Sequence, residues 1–377
     1  MKTSLTSVIK ESSFYLTNFF PLAFCIAICF DFNIITAILF SSISIMFMPE
    51  SAYQKSMPLI ISFLILGNNP ENSLGASIIC CVLLIISSLF FDKIKSVFQS
   101  FNNSGVMLAG ALTATVLFTT DYFGIGATGN SITEMIKSYV SLGFHPNWRG
   151  VLYGTIVLVI MITFPRKFKK LNKYVSASFI ALILTLILNI FLNPADMNSA
   201  ITELSQGSLS LLKNHILIRT HINFDFKTVI IGFALFILFS DSVISLEKNK
   251  KTDSISYGIF NIFNTGIIGF PLPYFPFNIF SSIVPRLIAV AITVISFLLF
   301  DDVFIRIPFH SCAVVIIVSA WNSVIWKNIN TSFLNLKSVI LFIVPLIICM
   351  ITDISIGLIV SLIASILFNN IKKTEAC

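Results

Sequence analysis

The sequences Gly-Phe-Pro-Leu-Pro at 269–273 and Ser-Met-Pro at 56–58 each place proline near the start of an apolar run too short to cross a bilayer alone. Each run is third among the apolar segments of its half of the 377-residue chain. Paired interrupted segments at matching places of two halves are typical of transporters. A helix that starts within the bilayer directs free N–H groups to the midplane, which favours an anion. The alternative is that these prolines only kink ordinary membrane helices.

The composition is that of an integral membrane protein. Apolar residues make up 56% of the chain and charged residues only 11%, with a mean hydropathy of +0.93. Soluble domains carry about a quarter charged residues, and a bilayer can solvate apolar surface that water cannot. The apolar runs are continuous rather than alternating, which predicts spanning helices and not barrel strands.

The positive charge lies in loops between the apolar runs. With a cytoplasmic N-terminus and about fourteen segments, 18 of the 24 Lys and Arg residues fall on inner loops and 6 on outer loops. This bias follows the positive-inside rule and predicts that both termini are cytoplasmic, in a bacterial inner membrane. The net charge of +7 therefore faces membrane lipids, and we expect no nucleic-acid partner.

The matching positions of the two short segments indicate that the chain consists of two halves with seven segments each. Residues 1–193 form the first half and residues 227–377 the second. Residues 194–226, the longest polar stretch, are predicted to form an extracytoplasmic loop. Because seven is an odd number, the halves have opposite orientations, so the predicted fold is an all-α polytopic membrane protein with an inverted 7+7 repeat.

Six stretches are similar, in order and spacing, to motifs of one transporter family. They are Ser104 to Gly110, Phe164-Pro165-Arg166-Lys167 with Val175-Ser176-Ala177, Asp241-Ser242-Val243-Ile244-Ser245, Gly258 to Asn261 followed by Gly269-Phe270-Pro271, Ile307-Pro308 with Ala320-Trp321-Asn322, and Thr352-Asp353-Ile354 with Gly357. Over residues 56–368 the chain thus resembles the SulP (sulfate permease) family of anion transporters.

The resemblance implies a UraA/SulP-like fold in which a core domain moves against a gate domain. The core would comprise about residues 13–91 and 227–300, and the gate about residues 104–193 and 307–370. Because the chain stops soon after its last apolar run, we expect it to lack the cytoplasmic STAS domain that most relatives carry. Relatives also suggest a homodimer.

Asp241 is the candidate residue for a coupling ion. It lies in the apolar run 229–246, where a carboxylate costs about 2.5–3.5 kcal/mol on insertion scales and usually has a function. Ser245 follows one helical turn later on the same face. Together they can offer oxygen ligands to Na⁺ or hold H⁺, and the resemblance extends the possibility of Na⁺ coupling. The alternative is an acid that snorkels to the membrane surface near Lys248.

The resemblance implies an anion site between the starts of the third and tenth segments. The substrate-binding candidates there are Ser56, Pro58, Pro271, Leu272, Tyr274 and Phe275. Dipoles and hydroxyl groups, rather than a fixed cation, would hold a small inorganic anion such as sulfate or bicarbonate. We expect no cofactor, and no metal other than Na⁺.

Two other functions stay open. A nucleobase or ascorbate permease of the same fold would favour acidic residues on both the eighth and the tenth segment, and only the eighth carries one. A scaffold that no longer transports is the second, because the bulky run Phe275-Pro276-Phe277 stands where relatives have small residues. An enzyme is disfavoured, since the apolar runs hold almost no titratable cluster.

Overall fold

The computed structural model describes residues 5–29, 56–67, 69–98, 101–125, 132–192, 222–244, 283–304 and 306–375. Within these ranges the chain is helical and has no strand, which confirms the all-α prediction. Fourteen α-helices lie in this part of the chain. They are α1 Leu5–Cys29, α2 Ser56–Gly67, α3 Ser73–Leu89, α4 Phe91–Phe98, α5 Ser104–Phe123, α6 Ile132–Leu142, α7 Trp148–Lys167, α8 Ala177–Leu192, α9 Phe226–Ile244, α10 Ile283–Phe304, α11 Phe309–Ser323, α12 Trp326–Ser332, α13 Leu336–Ile351 and α14 Ile354–Glu375.

Three short helices were not among the apolar segments expected from the sequence. These are α4, α6 and α12, with 8, 11 and 7 residues. The first and last follow sharp bends, of 108° between α3 and α4 and of 50° between α11 and α12. In α4 the charged Asp92 and Lys93 are exposed while Phe98 is buried, an amphipathic arrangement typical of helices at a membrane surface.

The exterior of the helical bundle is apolar, as lipid requires. Val159, Phe191 and Leu299 are each more than half exposed. By length and hydropathy, two described helices, α5 and α7, can cross a membrane alone, and counting each bent pair as one span raises the number to four. Further apolar helices, such as α8 and α13 with 16 residues each, are shorter than a full crossing of about 20 residues. The chain is an integral membrane protein.

Small residues let the helices approach closely where α3 packs against α9. A Cβ atom on Gly232 of α9 would lie 2.7 Å from Cβ of Ile79 and 2.8 Å from the carbonyl oxygen of Ala76. On α3, a Cβ atom on Gly75 would lie 2.2 Å from the carbonyl oxygen of Asn223. Membrane helices associate through such packing because lipid provides no hydrophobic force between them.

Gly232→Ala should destabilise the protein, because the added methyl group has no room between α9 and α3. Overpacking of this kind costs about 1–3 kcal/mol, which should appear as a lower unfolding temperature of the purified protein. Val229→Ile is the matched control, since it adds one carbon to the exposed side of the same helix. Equal unfolding temperatures for Gly232→Ala and wild type would show that this interface is looser than described.

The carboxylate of Asp225 caps the start of α9. Its Oδ1 accepts a hydrogen bond from the Thr228 hydroxyl at 2.5 Å and another from the Thr228 backbone N–H at 2.7 Å. These bonds favour the charged form of the carboxylate and hold the pKa of Asp225 below its ordinary value of 3.8. The bond from the Thr228 hydroxyl has the larger effect, and the bond from the backbone N–H the smaller. The N-cap therefore fixes where the helix that carries Asp241 begins.

Asp225→Ala should lower the unfolding temperature at neutral pH, because α9 loses its N-cap. The folded pKa lies below the unfolded one, so the stabilisation is complete above pH 3.8 and is lost as the pH falls through the folded pKa. The difference from wild type should therefore shrink well below pH 3.8. Asp225→Asn can accept the same bonds without a charge, so at pH 7 its unfolding temperature should lie between those of Asp225→Ala and wild type. A constant difference at all pH values would contradict the role of the charged form.

Candidate functional site

Asp241 lies near the end of α9 and is half-buried. Its Oδ2 accepts a hydrogen bond from Nδ2 of Asn103 at 2.5 Å. The residues that precede it, Leu238, Phe239 and Ser240, are buried. A carboxylate that leaves water needs a polar partner, and a hydrogen bond to a charged acceptor is stronger than one between neutral groups. The alternative partner in the sequence, Lys248, lies outside the described residues.

Asn103 directly precedes α5 and uses its backbone and side chain for different purposes. Its carbonyl oxygen accepts from the N–H of Met107 at 2.9 Å, so the backbone joins the helix. Its side chain makes no capping bond to the first turn, although asparagine is among the preferred N-cap residues. The amide points instead to Asp241, which places it between two helices.

The backbone of Asn102 is held by two serines of α14. Its N–H donates to Oγ of Ser365 at 3.3 Å, and its carbonyl oxygen accepts from Oγ of Ser361 at 2.8 Å. The Ser365 hydroxyl in turn donates to the carbonyl oxygen of Ser361 at 2.8 Å. A non-helical backbone within a membrane protein must find such partners, since lipid supplies none.

Ser104 extends the same network to α12. Oδ1 of Asn102 accepts from the hydroxyl of Ser104 at 2.5 Å and from its backbone N–H at 3.2 Å. The hydroxyls of Ser104 and Ser332 lie 3.3 Å apart, and Ser332 donates to the carbonyl oxygen of Asn328 at 2.8 Å. We call this set the polar junction: Asn102, Asn103, Ser104, Asp241, Ser332, Ser361 and Ser365.

A cavity of about 270 Å³ opens beside the polar junction. Its wall is formed by one aromatic residue and six residues with amide or hydroxyl groups, which are Phe101, Asn102, Asn103, Asn328, Thr331, Ser332 and Ser338. None of these side chains is charged, so the cavity offers hydrogen bonds to water or to a small solute without attracting one sign of charge. Asn103 alone belongs both to this wall and to the hydrogen bond with Asp241.

The structure describes only part of the site expected from the sequence. Ser56 and Pro58 lie in the first turn of α2, so a helix begins at the first proline-bearing stretch. The other substrate candidates, Pro271, Leu272, Tyr274 and Phe275, and the co-ion candidate Ser245 lie outside the described residues. Asp241 is the candidate whose surroundings the structure shows.

Sequence reasoning missed Asn102 and Asn103, which directly precede Ser104. Their signal was visible, because polar residues that precede an apolar helix are typical of an N-cap. What the sequence could not show is that Asn103 bonds to a residue 138 positions away instead of to its own helix. Among the described residues, no group of three or more His, Cys, Asp or Glu side chains could hold a metal ion.

Asp121 is a second carboxylate that sequence reasoning overlooked. α5 continues through Asp121 to Phe123 and is followed by Gly124, whose φ of 75° is left-handed. Asp121 is consequently part of the helix and only 9% exposed. Carboxylates within membrane helices are rare and usually functional, so α5 also carries an acidic residue of interest.

No protein-family model and no curated protein matches the sequence, whereas the fold is similar to known structures. The transmembrane domain of BicA, a bicarbonate transporter of a cyanobacterium, is similar with a TM-score of 0.62 and 13% identity, over 97% of this chain and 98% of that domain. The chain has the fold of that transmembrane domain. The expected fold class is therefore confirmed.

Two structures of SLC26A9 share this fold. One matches with a TM-score of 0.66 and 12% identity over 96% of this chain, which spans 64% of that protein. The murine protein, described as an anion transporter in its inward-facing state, matches with a TM-score of 0.64 and 12% identity over 99% of this chain and 69% of its own. The BicA and murine Slc26a9 matches are described as transporters, not as enzymes.

Ser361→Ala should loosen the segment that precedes α5, because Asn102 loses one of its two bonds to α14. A hydrogen bond contributes about 1 kcal/mol, so the backbone amides of residues 102–104 should exchange with deuterium roughly fivefold faster. Ser96→Ala is the matched control, since the Ser96 hydroxyl bonds within its own exposed helix. Unchanged exchange at residues 102–104, measured by mass spectrometry, would mean that Ser361 does not hold this segment.

Proposed function

We propose that this protein is a secondary active transporter of small inorganic anions, such as sulfate or bicarbonate. The observation that carries the proposal is the shared fold, which extends over 97% of this chain and 98% of the transmembrane domain of a bicarbonate transporter. The murine anion transporter supports the same function class. As a member of this fold, the protein would work by alternating access.

The anion would bind between the helix that begins at Ser56 and Pro58 and the stretch that contains Pro271, Leu272, Tyr274 and Phe275. The first-turn N–H groups of a helix have no partner within that helix and carry a partial positive charge. Two such ends can replace part of the hydration shell of an anion without fixing a buried cation. Weak, neutral binding of this kind also lets the anion leave on the opposite side.

Asp241, with Ser245, would bind the coupling ion, Na⁺ or H⁺. Asp241 is a half-buried carboxylate whose oxygen already accepts a bond from an amide, so it can carry its charge in a helix that is otherwise apolar. A carboxylate and a hydroxyl are ligands that Na⁺ accepts, and protonation would neutralise the same group. Occupation of this site would offset part of the charge of the transported anion.

The moving parts would be a core containing α2, α3 and α9 and a gate containing α5, α7, α11, α13 and α14, as two inverted repeats. Close packing supports this grouping, since α3 packs on α9 through Gly75 and Gly232, and Trp321 of α11 donates to the Thr115 hydroxyl of α5 at 2.7 Å. The basic inner loops support a bacterial inner membrane with cytoplasmic termini. A homodimer fits the same proposal.

The test is uptake into liposomes that contain the purified full chain. Sulfate, bicarbonate and chloride should be offered separately, without a gradient, with an inward Na⁺ gradient and with an inward proton gradient. We expect at least one anion to accumulate above the level in protein-free liposomes, and a Na⁺ or proton gradient to increase its uptake. Absence of uptake for every anion under both gradients would reject the transporter.

Asp241→Asn should uncouple uptake from the ion gradient, because the amide neither binds Na⁺ as a charged ligand nor releases a proton. We expect the increase produced by the gradient to disappear while the protein still folds. Asp92→Asn, which removes an exposed carboxylate on α4, is the matched control and should keep the wild-type response. A full response to the gradient in Asp241→Asn would remove Asp241 from the mechanism.

A further inference from the structure

Asn103 is in a position to control the candidate ion site at Asp241. Its Nδ2 donates to Oδ2 of Asp241 at 2.5 Å, so one oxygen of the carboxylate is already occupied by an N–H group. A cation cannot approach the lone pair that this N–H group uses, because the donor hydrogen and the cation repel each other. The amide and Na⁺ therefore compete for Oδ2, and the carboxylate can give both of its oxygens fully to Na⁺ only when the amide leaves.

The amide of Asn103 is anchored on one side of the bond. The preceding residue, Asn102, is held to α14 by Ser361 and Ser365, and the following residue, Ser104, contacts Ser332 of α12. Asp241 lies on the other side, on α9. If α9 moves relative to α12 and α14, Asn103 stays with the latter helices and the bond to Asp241 breaks.

The cavity brings a solute to this bond. Asn103 forms part of the cavity wall, whereas Asp241 does not. An ion that enters the cavity meets amide and hydroxyl groups, and one of these, the Asn103 amide, also bonds to the carboxylate. The same side chain thus joins the cavity wall to the end of α9.

We propose that Asn103 is a positioning residue that competes with Na⁺ for Asp241 and holds α9 against α12 and α14 until the ion binds. The inference rests on the proposed function, in which Asp241 binds the coupling ion. It adds a physical link between ion binding and helix movement. Na⁺ can bind fully only when the bond between Asn103 and Asp241, which joins α9 to α12 and α14, is broken. The energy of ion binding is then used partly to release α9.

The experiment compares Asn103→Ala with wild type in two measurements on the purified full chain. The first is the Na⁺ concentration that gives half-maximal anion uptake in liposomes, and the second is the Na⁺ concentration that gives half of the Na⁺-dependent rise in unfolding temperature. Without a competing N–H group, both concentrations should fall about tenfold, since a hydrogen bond to a charged group is worth at least one factor of ten in a competing equilibrium.

Two further variants make the result specific. Asn103→Leu keeps the approximate shape of the side chain but has no N–H group, and it should show the same tenfold fall if Asn103→Ala does not fold. Asn330→Ala is the matched control, because Asn330 is exposed on α12 and does not line the cavity. A residue with a merely structural role would change the maximal rate or the stability, but it would not increase the affinity for Na⁺.

The outcomes separate the inference from the function on which it rests. Wild-type uptake with Na⁺ dependence, together with an unchanged or increased half-saturating concentration in both Asn103 variants, would overturn the inference and leave the transporter intact. An increased concentration would mean that Asn103 is itself an ion ligand through Oδ1. Wild-type uptake without any Na⁺ dependence would also overturn the inference and leave the transporter intact, whereas wild-type protein without uptake of any anion would reject the proposed function and the inference with it.

Discussion

The hydrogen bond between Asn103 and Asp241 is the constraint on which the arrangement of this molecule depends most. A carboxylate near the end of an apolar helix is costly in a membrane protein unless a polar group donates a hydrogen bond to it. Asn103 does so, and because its neighbours bond to α12 and α14, the hydrogen bonds around this charge join four helices. The bond is strong because one partner is charged, yet it is reversible because the other is a neutral amide. That combination suits a group which must both stabilise the fold and exchange its partner.

The rest of the polar junction follows from the need to satisfy backbone groups away from water. The chain leaves helical geometry just before α5, and each free N–H or C=O group in that break requires a donor or acceptor from the protein. Ser361 and Ser365 meet this need from α14. Hydroxyl groups are well suited to it, since they can donate and accept and are small enough to sit between packed helices. The cavity beside the junction shows that the same polar groups also remain accessible.

Between the polar sites, shape complementarity holds the helices together. Gly105 of α5 has no room for a Cβ atom, which would lie 2.2 Å from the carbonyl oxygen of Phe342 on α13. A Cβ atom on Gly357 of α14 would likewise lie 2.0 Å from Sγ of Cys349 on α13. Aromatic side chains such as Phe63, Phe118 and Phe239 fill the interior. Close approach at glycine positions such as these lets the helices pack without a hydrophobic force from lipid.

The amino-acid sequence by itself determined the membrane environment, the all-α class and the approximate place of most helices, because hydropathy and its continuity act locally along the chain. It also singled out Asp241, since a lone charge in an apolar run is conspicuous. It did not single out Asp121, which the structure places inside α5 before the left-handed backbone of Gly124. Nor could it pair Asp241 with Asn103, which are 138 positions apart and meet only when α9 packs beside the start of α5. Hydrogen bonds between distant segments depend on packing, and only the tertiary structure decides them.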